Sequence, residues 1–391
     1  MFDIQYPPPN ERIILAGLLV PGMDRDLFEE DMQEMVQLCR TAGADVIDVQ
    51  VQKRDRPVAA TYLGSGKLKE LRGTLKARKC KTLVIDAELS AGQVRTIEKV
   101  IDGKVIDRSQ LILDIFAQHA RTNEARIQVE LAQLRTLYPR LTRAWSHFSQ
   151  QVGGIGTRGP GEKQLEVDRR LVQRRIADLR NKIRAIERAR HTQRKSRKDA
   201  YTIALVGYTN VGKSSLLNAL CGADVRVENK LFATLDTASR RLFVPEVGNI
   251  VLSDTVGFIR KLPHQLVASF MSTLEVVSEA DLLMLVLDAS SSWIKYQLDT
   301  THEVLKQLGA DEVPQLLVLN KADLIADAFA RKELALAFPE GEFVSAFAQE
   351  DMRGLKSRLS ALAQEARREK ARAEIIARQT KEMAWGRQAP R

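Results

Sequence analysis

Eight consecutive residues, Gly207-Tyr208-Thr209-Asn210-Val211-Gly212-Lys213-Ser214, carry the densest chemistry in the chain. They follow the apolar run Thr202–Val206 and lead into the helix-like stretch Ser215–Leu220. The pattern G-x-x-x-x-G-K-S therefore stands in the strand–loop–helix setting that gives it meaning. Its glycines let the backbone curl until several N–H groups face one anion, and the helix N-terminus adds a favourable dipole. Lys213 is expected to neutralise β- and γ-phosphate oxygens, and Ser214 to give its hydroxyl oxygen to Mg²⁺.

Four further segments extend this site. Phe232-Ala233-Thr234-Leu235-Asp236-Thr237 has weak secondary-structure signals. A loop that senses a γ-phosphate needs a threonine for Mg²⁺ there, and by composition Thr234 and Thr237 both qualify. The strand Asn249–Ser253 runs into Asp254-Thr255-Val256-Gly257. A carboxylate at that strand end can hold a metal-bound water, and Gly257 leaves its N–H open to the γ-phosphate. The strand Gln315–Leu319 ends in Asn320-Lys321-Ala322-Asp323. Asp323 can accept two hydrogen bonds from guanine, where adenine offers no such pair; a mismatch of that kind discriminates by about 10⁴–10⁵. Lys321 is expected over the base, Asn320 as a tie between loops, and the backbone amides of Ser345 and Ala346 as a cap on the guanine carbonyl. Five motifs in order, each at a strand end, predict a GTP/GDP site.

One position departs from the usual pattern. Many switches of this type carry a glutamine after the Asp-x-x-Gly loop to orient the attacking water; here that residue is Phe258. A phenyl ring cannot polarise water, so intrinsic hydrolysis is expected to be slow and stimulated by a partner. Arg260, Lys261 and His264 follow closely. Weighed as water-positioning groups, they are better read as ordinary residues of the next helix, and no catalytic side chain is assigned.

These loops need elements to hold them. The first ~118 residues alternate β-branched runs with helical stretches. Strands are expected at Arg12–Val20, Asp45–Val51, Lys81–Asp86 and Lys104–Ile106, with helices at Asp24–Thr41, Lys67–Arg78 and Ser90–Val100. From about Asp107 long helices take over. Ile127, Leu131, Leu134, Tyr138, Leu141, Trp145 and Phe148 recur at steps of 4 and 3, as do Val172, Ile176, Leu179, Ile183 and Ile186. Such seams predict two helices folded back as an antiparallel hairpin around the non-helical Gly153–Gly161, with Pro139 kinking the first. The polar run His191–Asp199 is expected to be a hinge or helix end, and Ala363–Arg391 a frayed helix or disordered tail.

The expected fold class is α/β: a P-loop GTPase domain, with a mostly parallel sheet and helices on both faces, preceded by a small α/β layer and a long antiparallel helical hairpin. The expected division is residues 1–118, 119–198 for the hairpin, 199–365 for the nucleotide domain and 366–391 for a basic tail.

Charge points to a partner. The net +10 is concentrated between Arg121 and Lys198, where 20 Lys+Arg face 7 Asp+Glu; the remainder has 40 against 43. A basic stripe of this kind seeks a polyanion, most commonly nucleic acid. Cys39, Cys80 and Cys221 are odd in number and far apart, against a disulfide framework or zinc site. No apolar run approaches a membrane span and no secretory leader is visible. A cytoplasmic monomer is expected, with room for a membrane-associated fraction.

The stretches Val105–Ala117, Gln128–Leu134, Gly153–Arg170, Phe232–Asp236 and Asp254–Arg260 together resemble the HflX family of ribosome-associated GTPases, across about residues 65 to 362. Phenylalanine after the Asp-x-x-Gly loop is that family's own pattern. The resemblance implies docking on the large (50S) ribosomal subunit and its rRNA, and splitting or rescue of stalled 70S ribosomes by the GTP-bound protein. It makes Thr234, not Thr237, the Mg²⁺ ligand, and it sets the Gly153–Gly161 loop with Arg158 among rRNA backbones. Some members carry a further C-terminal domain; after residue 362 the expectation here is a short basic tail, Ala363–Arg391, in its place. Gly64-Ser65-Gly66-Lys67 lacks full phosphate-loop spacing and is better read as a helix start. A GTP-regulated assembly or RNA-binding factor without splitting activity is the alternative; a switch acting on a protein partner fits the basic stripe less well.

Overall fold

The computed structural model describes residues 11–143, 160–195, 200–222, 231–232, 234–235, 238–244, 247–261 and 274–386. Trp145, Phe148, Arg158, Ala233, Asp236, Thr237 and His264, and Gly153–Gly159 of the glycine-rich segment, lie outside them. The chain divides into two compact units. The first holds Met1–Lys195, Glu228–Asp236 and Arg260–Ser272; the second holds Ser196–Val227, Thr237–Ile259 and Thr273–Arg391.

In the first unit β1 (Glu11–Leu19), β2 (Ala44–Lys53), β3 (Thr82–Ile85) and β4 (Lys104–Asp107) form a wholly parallel sheet in the order β2-β1-β3-β4. Parallel pairing needs crossovers, and α1 (Arg25–Thr41), α2 (Ser65–Ala77) and α3 (Ala91–Ile101) supply them. Strand side chains alternate faces. Ile14, Ala16, Leu83, Ile85 and Val105 point into one core with Leu68, Leu71 and Leu75 of α2 and Val94, Ile97 and Ile101 of α3. Helix α1 starts on Asp24, whose carboxylate accepts from the amides of Asp26 and Leu27. A capping box of Ser90 and Gln93 starts α3. Gly64 is the N-cap of α2, so Ser65–Lys67 begin a helix.

Helix α4 (Arg108–His119) follows β4 directly, capped by Asp107, and α5 (Asn123–Arg143) and α6 (Pro160–Lys195) follow it. The last two pack through Ile127, Leu131, Leu134, Val172 and Leu179, with Tyr138, Ile176, Ile183 and Ile186 around them. Tyr138 meets Arg169 and Gln173, while Glu130 takes a bidentate pair from Arg175 at 2.7 and 2.8 Å; the two helices therefore run antiparallel. Helix α5 continues through Pro139. Glycine-rich Gly153–Gly161 was expected to be non-helical throughout, yet α6 begins at Pro160 and includes Gly161. The ring of a proline at the first helical position costs no hydrogen bond there.

In the second unit six strands are ordered β10-β9-β8-β5-β7-β6. These are β5 (Tyr201–Gly207), β6 (Ala238–Val244), β7 (Gly248–Asp254), β8 (Leu282–Asp288), β9 (Gln315–Asn320) and β10 (Glu342–Phe343), and only β6 is antiparallel to its neighbour. Helices α7 (Lys213–Cys221), α8 (Ile294–Gln307), α9 (Ala328–Ala337) and α10 (Gln349–Gly386) accompany the sheet. Helix α10 runs on through Ala363 to Gly386, the first of the two forms, frayed helix or disordered tail, expected of that stretch. Met352, Leu355, Leu359 and Ala363 are buried at steps of 3 and 4, and the Ala-, Arg- and Glu-rich continuation favours helix by itself.

Candidate functional site

Strand β5 is flanked by β7 and β8 at the centre of its sheet, and the carboxyl ends of parallel strands are where α/β folds gather their loops. Leaving β5, the chain turns through Tyr208–Val211 and enters α7 at Lys213. Lys213 is buried, and its Nζ donates to the carbonyls of Gly207 at 3.1 Å and Tyr208 at 2.7 Å. Burial pushes its pKa down to about 8, against the opposing pull of the Asp254 carboxylate. Gly212 has φ +93°, and a Cβ there would lie 2.3 Å from Nδ2 of Asn320, so both backbone and space require glycine.

The end of β7 meets this loop. The hydroxyl of Ser214 donates to Oδ2 of the fully buried Asp254 at 2.5 Å. A hydroxyl and a single carboxylate are the hard oxygen donors that suit Mg²⁺, which completes its shell with water and substrate phosphates. Among the described residues no group of three or more His, Cys, Asp or Glu side chains is arranged to hold a metal ion. Thr255 turns its hydroxyl onto the carbonyl of Leu205 at 2.6 Å, and Val256 is buried. Gly257 packs against the loop: a Cβ on it would stand 2.6 Å from Cα of Thr209 and 3.0 Å from Nζ of Lys213.

Asn320 connects the other end. Its Nδ2 donates to the carbonyl of Val211 at 2.8 Å, and its Oδ1 accepts from the amide of Ala346 at 3.3 Å. Lys321, at φ +62°, pairs with Asp288 at 2.6 Å. Ala322–Leu324 form a 3-10 turn in which Asp323 is exposed. The amide of Ser345 is held by Asp351 at 2.7 Å. The second unit thus brings together Gly207–Ser214, Asp254–Gly257, Asn320–Lys321 and Ser345–Ala346 around the ends of β5, β7 and β9.

The remaining candidates belong to the first unit. Phe232 is buried edge-on against Phe116, with ring centroids 4.8 Å apart; Leu235 is buried and Thr234 half-buried. Arg260 pairs with Asp31, and its carbonyl accepts from Arg108 at 2.9 Å. Lys261 bridges Asp86 at 2.9 Å and Asp31 at 3.1 Å. Arg108, only 2% exposed, also binds Glu34 and, at 2.9 Å, Asp86. Burial alone would raise the Asp86 carboxyl, but Arg108 and Lys261 together hold it below its ordinary value. Sequence reasoning missed this cluster and Asp288. Asp288 closes the apolar run Leu282–Leu287, the one signal that could have flagged it; charges spread from residue 31 to residue 261 leave none.

Three family profiles match in sequence order: the GTP-binding GTPase N-terminal region over residues 29–117, the GTP-binding GTPase middle region over 119–197, and the 50S ribosome-binding GTPase over 202–321. GTPase HflX of Flavobacterium psychrophilum is 47% identical over 313 residues, 80% of this chain and 76% of its own. GTPase HflX of Escherichia coli K12 is 46% identical over 329 residues, 84% of this chain and 76% of its own. The solved SsGBP–GDP complex is 26% identical with a TM-score of 0.50, covering 91% of this chain and 99% of that one. With identity at this level over four-fifths of its length, the chain belongs to the HflX family of GTPases.

Proposed function

We propose that the chain binds GTP in the second unit, hydrolyses it with Mg²⁺, and couples the nucleotide state to the large ribosomal subunit. The observation that carries this reading is the double tie of Asn320 to Val211 and Ala346, which joins the phosphate-side loop to the base-side loop. In it Gly207–Ser214 cradle the phosphates, the Gly257 amide meets the γ-phosphate, and Asp323 reads guanine beside Ser345 and Ala346, whose own amides are taken by Asp351 and Asn320. Ser214 and Thr234 are the proposed Mg²⁺ ligands, with Asp254 holding a water. The bound ion would offset charge on the β- and γ-phosphates.

The ribosomal half rests on the hairpin and on the 50S ribosome-binding description of the profile matched over residues 202–321. Arg169, Arg170, Arg174, Arg180, Lys182, Arg184 and Arg188 are all exposed along α6. Such a surface fits A-form RNA by phosphate contact and shape, not by base reading. We take residues 1–118, 119–198, 199–365 and 366–391 as the working parts, the protein as a monomer, and splitting of stalled 70S ribosomes as the outcome. A ribosomal partner implies a cytoplasmic location; fractionation would show any membrane-associated share. Among the described residues no helix is long and apolar enough to cross a membrane.

Gradient sedimentation of 70S ribosomes with the protein and a non-hydrolysable GTP analogue tests the outcome. Separate 30S and 50S peaks, with the protein on 50S, are expected. Intact 70S carrying bound protein would favour the alternative, a GTP-regulated assembly or RNA-binding factor without splitting activity.

A further inference from the structure

Hydrolysis needs a group that orients the attacking water, and several of the described side chains in and beside the Asp254–Gly257 segment are already committed. Phe258 turns its ring inward and is 1% exposed. The Thr255 hydroxyl is spent on Leu205 and the Ser214 hydroxyl on Asp254. Arg260 and Lys261 are held by Asp31 and Asp86 within the first unit.

Thr209 is different. Its residue is 5% exposed, and its buried Oγ1 has no hydrogen-bond partner among the described residues. Buried hydroxyls are rarely left so, and each exception calls for a reason. The surroundings supply one. A Cβ built on Gly257 would lie 2.9 Å from Cγ2 of Thr209 and 3.0 Å from Nζ of Lys213. The Thr209 side chain therefore borders the same spot as the phosphate-seeking ammonium and the Asp-x-x-Gly glycine. One step about χ1 exchanges its methyl for its hydroxyl on that side. A hydroxyl both donates and accepts, as a group bridging a phosphate oxygen and a water must.

We propose that Thr209 is a catalytic residue of GTP hydrolysis, its hydroxyl donating to a γ-phosphate oxygen while accepting from the attacking water. The inference rests on reading Gly207–Ser214 as the phosphate loop. In the step it serves, the water oxygen bonds to the γ-phosphorus and the bond to the β–γ bridging oxygen breaks. That electron pair leaves on GDP, and the proton lost by the water ends on the released phosphate. Thr209 neither gains nor loses a proton; it fixes the line of attack.

The test compares full-length Thr209→Val and Thr209→Ser with wild type, measuring single-turnover GTP hydrolysis, GDP affinity and Tm. Valine keeps the shape and removes the hydroxyl; serine keeps the hydroxyl. The expected result is a fall in the hydrolysis rate of about tenfold or more for Thr209→Val, recovery in Thr209→Ser, unchanged GDP affinity and an undiminished Tm. A wild-type rate in Thr209→Val with GDP binding intact would overturn the inference alone. Loss of GDP affinity in step with the rate would also overturn it, by making the role structural. If Lys213→Ala binds GDP and turns over GTP like wild type, the phosphate-loop reading itself fails and the inference with it.

Discussion

The amide of Thr209 donates to the carbonyl of Phe258 at 2.8 Å, and the amide of Phe258 donates to the carbonyl of Gly207 at 3.0 Å. This pairing stitches the residue after the Asp-x-x-Gly loop to the phosphate-side loop and turns the phenyl ring into the core. The position that carries a water-orienting glutamine in other switches is thereby a packing position, and on our proposal Thr209, in the loop it is stitched to, places the water instead.

Replacing Phe258 by glutamine should accordingly damage the fold without speeding the chemistry. Loss of a fully buried ring costs about 3–5 kcal/mol, and a buried amide adds an unsatisfied polar group. Urea unfolding and single-turnover hydrolysis of Phe258→Gln should show lower stability and no faster rate. Faster turnover at unchanged stability would mean that the side chain reaches the water after all.

Gly257→Ala should separate binding from turnover. Its Cβ would stand 2.6 Å from the Cα of Thr209, a contact that backbone cannot relieve by a rotamer change. The loop must shift by a fraction of an ångström, and misplacement near a reacting centre costs about a hundredfold. GDP affinity should hold while hydrolysis falls by that order; calorimetry and phosphate release read the two separately.

The ion cluster around Asp86 makes the first unit acid-sensitive. Its folded pKa lies below the ordinary 3.8, so the unfolded chain binds the proton more readily. The stabilisation is present above about pH 4 and is lost as pH falls through the depressed value. Asp86→Asn leaves Arg108 and Lys261 under-compensated and should cost about 3–5 kcal/mol at pH 7. Urea midpoints of wild type and variant should converge on acidification; a gap independent of pH would assign the loss to packing.

The hairpin should bind by counterion release. Arg174, Lys182 and Arg184 are exposed on α6. Changing all three to glutamine should weaken association with 50S subunits and reduce the salt slope by about one per removed contact. Pelleting assays across a salt series would show it, and a salt-insensitive affinity would remove the hairpin from the interface.

Local signals explain what the sequence could disclose. Strands such as Leu282–Asp288 and Gln315–Asn320 are short apolar runs ending in turn chemistry, and the 3-and-4 spacing of Ile127, Leu131 and Leu134 against Val172 and Leu179 survives intact in the hairpin seam. The loops at strand ends were legible because phosphate and base recognition constrain residue type at fixed spacing. Less local features were not. The cluster of Asp31, Glu34, Asp86, Arg108, Arg260 and Lys261 joins charges that neither period nor motif relates. The orphaned hydroxyl of Thr209 is visible only once burial and hydrogen bonding are known together.

The central claim is that this GTPase is slow alone and is completed by the large ribosomal subunit. The most direct measurement is multiple-turnover GTP hydrolysis by the full-length protein with and without purified 50S subunits, at low salt and at a salt concentration that releases the hairpin. A rise of at least about tenfold with 50S, abolished at high salt, is the predicted result. Equal turnover with and without 50S, under conditions where sedimentation shows the two bound, would contradict it.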